Sequence, residues 1–254
     1  MKPKKSLGQN FLKSEKIAEE IVSAGEVGSD DIVLEVGPGK GILTEKLLEK
    51  AKKVIAVEKD EELVGFLRDK FKNNPKLEII RGDILKFSPM SRRDLDIGRY
   101  KIIANIPYYI TSHLLRTFLE SDCQPSLMVL MVQKEVAERI VGKRESLLSI
   151  SVKTYGRPEI IRKVPAGYFS PAPKVDSAVI KISGISKNFF QDIGEKKFFE
   201  TVKKGFSQKR KMLINNLKAQ KDDFTACNID EKARAENLSL EQWKCLTVNV
   251  KVSP

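Results

Sequence analysis

The stretch IVLEVGPGKG, residues 32–41, decides the fold: five residues of apolar strand run without a break into a loop with glycine at 37, 39 and 41. A near-continuous apolar strand is the mark of a parallel sheet buried on both faces. Glycines at the hand-over to a helix allow a tight turn and a close approach of backbone to a ligand. The helix that follows is ILTEKLLEKA at 42–51, and the pattern then repeats. KVIAVEKD is a second strand, DEELVGFLRDKF a helix and LEIIRGDIL a third strand. KIIANIPYYI, TSHLLRTFLE, PSLMVLMVQ and KEVAERIV continue as strand, helix, strand, helix. Ahead of the sheet, residues 14–24 read as an amphipathic helix with Ser14 as its N-cap. The alternation predicts an α/β fold with a mostly parallel sheet covered by helices.

Beyond this, EIIRKV and DSAVIKI predict two more strands around the turn-rich GYFSPAPKVDS. From about residue 188 the pattern is helical only. The expected organisation is a Rossmann-like domain over residues 1–184 and a small all-α domain over 185–254.

Composition bounds the function. The chain has 254 residues, 41% hydrophobic and 31% charged, with no apolar run of membrane-spanning length. Its basic start lacks the apolar core of a secretory signal. Cys123, Cys227 and Cys245 are scattered, and with His113 alone they form no metal-ligand spacing. A reduced, cytoplasmic, monomeric protein without metal is the expectation, with His113 structural. The net charge of +12 favours a polyanionic partner. Residues 181–220 carry ten Lys or Arg against three Asp or Glu. Within them Lys203, Lys204, Lys209, Arg210 and Lys211 are dense enough to predict a phosphate-facing patch rather than a merely solvated helix face.

The glycine loop reads E-x-G-x-G-x-G, not the G-x-G-x-x-G of dinucleotide sites, because Ile42 stands where the third glycine would be. Glu58 ends the second strand 21 residues after Gly37, where a carboxylate can take ribose hydroxyls. Asp83 follows the third strand, where it can face an adenine amine. Gly37, Gly39, Glu58 and Asp83 therefore predict an adenosine-containing ligand, and the missing dinucleotide glycine favours S-adenosylmethionine over NAD.

Asn105-Ile106-Pro107-Tyr108 follows the fourth strand at the same sheet edge. As structure it is a strand ending in an X-Pro turn with Tyr108 packed inward. As chemistry it suits a delocalised exocyclic amine such as that of adenine. The Asn105 side-chain oxygen and the Ile106 carbonyl can accept its two hydrogens, Pro107 restrains that carbonyl, and Tyr108 can stack on the base.

With these residues in hand, the chain resembles the small-subunit (16S) ribosomal RNA adenine N6-dimethyltransferases, the kasugamycin-sensitivity enzymes. The resemblance is carried by KSLGQNFL at 5–12, EVGPGKG at 35–41, VEKD at 57–60, GDIL at 82–85, NIPY at 105–108 and FSPAPKVDS at 169–177. It continues through FSQKRKMLINNLK at 206–218 and RAENLSLEQW at 234–243. It implies a Rossmann-like catalytic domain using S-adenosyl-L-methionine, with Asn10 and Leu12 joining Gly37, Glu58, Asp83 and Asn105 at the cofactor. It also implies that Phe169 sandwiches the target adenine against Tyr108. The implied substrate is two adjacent adenines near the 3′ end of small-subunit rRNA, within a partly assembled 30S-type subunit. Tyr109 departs from the asparagine of many relatives. PKVDS and KRKMLINNLK favour this branch over the relatives that methylate a large-subunit adenine. A binding-only assembly factor and an NAD-dependent oxidoreductase are the alternative readings.

Overall fold

The computed structural model describes residues 3–4, 7–87, 99–208 and 210–250. A short first strand, β1 (Phe11–Leu12), leads into helix α1 (Glu15–Ala24), whose N-cap Ser14 accepts from the Ile17 amide as the sequence predicts. Ten residues make a helix too short to persist alone in water. Its buried face of Ile17, Ala18, Ile21 and Val22 is what holds it, at roughly 1.5–3 kcal/mol for each large apolar side chain.

The apolar runs become β2 (Ile32–Val36), α2 (Ile42–Lys50), β3 (Lys53–Glu58), α3 (Glu61–Lys70) and β4 (Leu77–Arg81). They continue as β5 (Tyr100–Asn105), α4 (Thr111–Leu119), β6 (Leu127–Gln133) and α5 (Lys134–Val141). After α6 (Leu147–Lys153) come the edge strand β7 (Arg157–Val164), the two-residue β8 (Phe169–Ser170) and β9 (Ser177–Ser183).

The main sheet has seven strands in the order β4-β3-β2-β5-β6-β9-β7. The pairs β2–β3, β3–β4, β2–β5 and β5–β6 are parallel, whereas β9 runs antiparallel to both β6 and β7. The chain steps outward from β2 to β4, then returns to lay β5 on the other side of β2. Right-handed crossovers put α2 and α3 on one face of the sheet and α4 on the other. On the first face Val33, Val54, Ile103 and Val129 pack with Ile17 and Ile21 of α1 and with Leu43 and Leu47 of α2. Their neighbours Leu34, Ile55, Ile102 and Met128, which point the other way by strand alternation, are as fully buried. The reversal of strand order between β2 and β5 opens a crevice at the strands' carboxyl ends, where ligands of such sheets bind. β1 joins no strand of this sheet but pairs antiparallel with β8, Phe11 opposite Ser170 and Leu12 opposite Phe169.

Residues divide into two units: Met1–Ala137 with Arg157–Ile185, and Glu138–Gly156 with Ser186–Pro254. The helical unit therefore takes in α6 and its flanks as well as the C-terminal segment expected from the sequence. Its helices are α7 (Glu195–Gly205), α8 (Leu213–Leu217), α9 (Lys221–Ala226) and α10 (Leu240–Asn249). The run KRKMLINNLKAQ is less helical than its composition suggests, because Lys218 turns left-handed (φ 55°) and ends α8 after five residues. Trp243, Phe198, Phe224 and Tyr155 are fully buried in this unit. Trp243 reaches the backbone of α7 at Gly205, where an added Cβ would lie 2.4 Å from its ring.

The expectation of three free thiols is corrected here. Cys227 at the end of α9 and Cys245 on α10 form a disulfide, their Cα atoms 5.6 Å apart, and Cys123 alone stays free. Their separation of 18 positions carries no pairing signal; the packing of α10 against α9 brings the sulfurs together. Among the described residues no helix is long and apolar enough to cross a membrane, and no group of His, Cys, Asp or Glu could hold a metal ion.

Candidate active site

A cavity open to solvent occupies the crevice between the ends of β2, β3, β4 and β5. Its floor is the glycine loop. Gly37 and Gly39 adopt φ of 64° and 59°, in the left-handed region, and a Cβ on Gly39 would come 3.0 Å from the Phe11 ring. Any side chain there would both strain the backbone and fill the cradle.

Glu58, at the end of β3, is buried beside this loop. One oxygen accepts from the Gly39 amide at 3.2 Å; the other accepts from the Lys59 and Asp60 amides at 2.8 and 2.9 Å. Burial raises its pKa, and these three amides oppose the shift. A carboxylate has about four acceptor positions, so three amides leave one for a ligand hydroxyl. Asp83 caps the turn after β4 by accepting from the Leu85 amide, and its Oδ2 accepts from Lys59 Nζ at 2.9 Å. That ammonium, more than any other group, holds the Asp83 pKa below its usual value.

Opposite stands the tetrapeptide. Asn105 ends β5, and its side-chain nitrogen donates to the Asn10 carbonyl at 3.4 Å. The amide oxygen is thereby left as the acceptor. Ile106 is buried in the cavity wall, and Pro107 holds φ −58° and ψ 131° at the head of the 3-10 turn Tyr108–Ile110. Tyr108 is half-buried, with its hydroxyl 2.7 Å from Ser177 Oγ of β9. Burial raises its pKa, so the phenol stays neutral.

Asn10, Leu12, Gly37, Gly39, Glu58, Asp83 and Asn105, together with Ile106, Pro107 and Tyr108, all line this one cavity. Phe169 does not. It is 2% exposed and packed in the core cluster with Leu12, Val164 and Val179. In the helical unit Lys203, Arg210 and Lys211 are exposed and Lys204 is partly so, while Lys209 lies outside the described residues. His113 is exposed on α4.

Sequence reasoning missed three features of the site. Glu35 lines the cavity at 1% exposure, its carboxyl beside Thr44, whose hydroxyl and amide oppose the rise in its pKa. Burial, and secondarily the Glu58 charge, pushes its pKa up to about 8. The motif contained Glu35, but nothing in one sequence distinguishes a buried from a solvated carboxylate. The second is the anchor of the N-terminal arm: Lys4 Nζ and Gln9 Nε2 both donate to the buried Asp60, at 2.7 and 2.8 Å. The third is Lys59, which occupies Asp83.

Glycine cradle, ribose-type carboxylate and carboxyl-end crevice, set beside an acceptor-bearing Asn-Ile-Pro-Tyr turn, define a methyltransferase of the Rossmann-like class. The comparisons narrow this. The family model for ribosomal RNA adenine dimethylase matches residues 1–250, and the chain belongs to that family. A protein of Dehalococcoides mccartyi named ribosomal RNA small subunit methyltransferase A is 44% identical, over 97% of this chain and 88% of its own. The protein of that name in Clostridioides difficile is 40% identical, over 98% and 92%. Among solved structures, a dimethyladenosine transferase from Plasmodium falciparum superposes with TM-score 0.79 at 28% identity, covering 93% of this chain and 95% of the other. The 23S rRNA methyltransferase ErmE does so with TM-score 0.78 at 26% identity, covering 95% and 99%.

Proposed function

We propose that the protein dimethylates the exocyclic N6 amine of two adjacent adenines near the 3′ end of small-subunit rRNA, using S-adenosyl-L-methionine. The observation that carries the reading is the convergence of Gly39, Glu58 and Asp83 with Asn105 and Tyr108 on one cavity. The curated relatives at 38–44% identity bear the small-subunit name, which supports that branch over the large-subunit one.

The residues suit the cofactor. Glu58 retains an acceptor position for the ribose, Asp83 an acceptor for the adenine amine, and the Gly37–Gly39 backbone admits close approach. Asn10 and Leu12 close the arm side. When bound, S-adenosylmethionine supplies an electrophilic methyl group on a sulfonium sulfur. The protein's part is to present the nucleophile. The adenine amine is weakly nucleophilic because its lone pair is delocalised into the ring. Asn105 Oδ1 and the Ile106 carbonyl accept its two hydrogens and localise that lone pair on nitrogen. Tyr108, fixed by Ser177, stacks on the base and keeps it oriented. Phe169 forms the second side of an adenine sandwich only once it turns out of the core. Lys203, Lys204, Lys209, Arg210 and Lys211 hold rRNA phosphates, and work on a partly assembled 30S-type subunit places the enzyme in the cytoplasm.

The test is methyl transfer from labelled S-adenosylmethionine to undermethylated small subunits, followed by nucleoside analysis. Dimethyladenosine at the 3′-end adenines is expected. Asn105→Ala should lower kcat at least ~100-fold while cofactor affinity stays within a few-fold. Transfer to large-subunit RNA alone, or tight subunit binding without transfer, would overturn the reading.

A further inference from the structure

Tyr109 is an aromatic of the cavity to which the reaction described above gives no task. It follows Tyr108 on the same 3-10 turn, yet the two rings are placed differently. Tyr108 is half-buried with its hydroxyl bound to Ser177, whereas Tyr109 is 61% exposed while still forming part of the cavity wall. Successive residues of a 3-10 turn project about 120° apart, so the two rings cannot lie on one base. Nor does the Tyr109 ring hang free. It rests along the backbone of Gly8, where an added Cβ would sit 3.3 Å from Cδ1 and 3.4 Å from Cε1. Gly8 adopts φ 62° and belongs to the arm that walls the cavity. The phenol therefore has support on one side and solvent on the other, at the mouth of a site that receives a nucleobase.

Chemistry on an exocyclic amine requires the base to leave its stack. Its neighbour in the strand then loses a stacking partner and exposes an aromatic face. A supported aromatic side chain replaces that partner for any base, because every base has a π-face. We propose that Tyr109 is a second stacking platform, receiving the base of the nucleotide next to the target adenine in single-stranded RNA. The proposal rests on the adenine-methylation reading above. It makes Tyr109 a substrate-positioning residue, with its effect on RNA affinity and not on the cofactor.

The experiment uses the full chain and the variants Tyr109→Phe, Tyr109→Leu and Tyr109→Asn. Thermal unfolding first establishes that each folds. The probe is a single-stranded RNA with 2-aminopurine beside the target adenine, read by fluorescence, and in parallel KM and kcat are measured on undermethylated small subunits. Wild type and Tyr109→Phe should quench the probe. Leu, which keeps apolar bulk without a π-face, and Asn should lose the quench and raise KM for RNA roughly 5- to 100-fold, with the dissociation constant for S-adenosylmethionine unchanged. Equal loss of cofactor affinity would assign the ring to the cofactor instead and overturn the proposal. Unchanged RNA KM and quench in Tyr109→Leu would also overturn it. Absence of transfer by wild type with the quench intact would sink the adenine-methylation reading and leave the stacking platform standing.

Discussion

The Tyr108 hydroxyl lies 2.7 Å from Ser177 Oγ, joining the turn after β5 to the first residue of β9, 69 positions away in the chain. The bond ties an aromatic on a single 3-10 turn to a strand that is itself hydrogen-bonded along both edges, to β6 and to β7. Tyr108→Phe keeps the ring and loses the tether, so kcat should fall roughly 3- to 10-fold, the worth of one hydrogen bond. Tyr108→Ala removes the stacking face as well and should cost roughly 100-fold or more. Ser177→Ala should reproduce the Phe effect, and the double variant should be no worse than either single one. Single-turnover rates on undermethylated subunits measure all four, and additive losses would show that the two hydroxyls act separately.

Glu35 predicts a pH dependence of stability. Its carboxyl titrates near the ordinary carboxyl value of 4.5 when unfolded and at about 8 in the fold, chiefly through burial. Between those values the folded state holds a proton that the unfolded state has released, so stability falls as pH rises, by up to about 1.4 kcal/mol per pH unit at this group. The contribution is fully present below pH 4.5 and lost by the time pH passes about 8. Glu35→Gln keeps the shape of the protonated acid and cannot ionise. Its stability in urea should therefore gain on wild type steadily from pH 5 to 8, then hold a constant lead. Parallel curves across that range would mean that Glu35 does not titrate as its burial requires.

Gly205 should show the reverse of the usual helix rule. Alanine for glycine inside a helix normally adds about 0.5–1 kcal/mol. Here the new Cβ would meet Trp243 at 2.4 Å and Leu213 at 2.8 Å, and overpacking costs about 1–3 kcal/mol. Gly205→Ala should lower the melting temperature by several degrees. Gly65→Ala on α3, where an added Cβ meets nothing within 4 Å, should raise it slightly. A stabilised Gly205→Ala would mean that the contact of Trp243 with α7 gives way easily.

The basic patch predicts a salt effect. Replacing Lys203, Arg210 and Lys211 with glutamine should weaken RNA binding and flatten the plot of log affinity against log salt by about 2, if each neutralises one phosphate. Filter binding between 50 and 200 mM salt measures the slope. An unchanged slope would make these residues a solvated surface.

Much of the fold could be read from local pattern. VIAV and LMVLMV are apolar on both faces, and IVLEV is so at all but Glu35, which a strand tolerates only inside a covered sheet. Ser14 sits where the helix pattern begins and caps it. What pattern missed depends on partners distant in the chain. β1 and β8 are two residues each, too short for any periodicity, and exist only because they pair with each other across 159 positions from Phe11 to Ser170. Residues 138–156 fall within the expected 1–184 domain, yet they pack with the helical unit, where Tyr155 lies against Phe190 and Phe199. Phe169 drew its expected role from a motif, while its position in the core follows from the pairing of Phe169 with Leu12.

By itself the sequence determined the strand and helix alternation, the glycine loop, the carboxylates at the ends of β3 and β4, and the Asn-Ile-Pro-Tyr turn. Each is a local matter of periodicity, backbone freedom or residue chemistry within a few positions. Only the tertiary structure decided that these pieces line one cavity, that Glu35 is buried, that Ser177 steadies Tyr108, and that Cys227 and Cys245 are joined. Those facts turn on burial and on contacts between residues far apart in the chain. A side chain's environment is set by whatever the fold brings against it, and no local stretch of sequence encodes that.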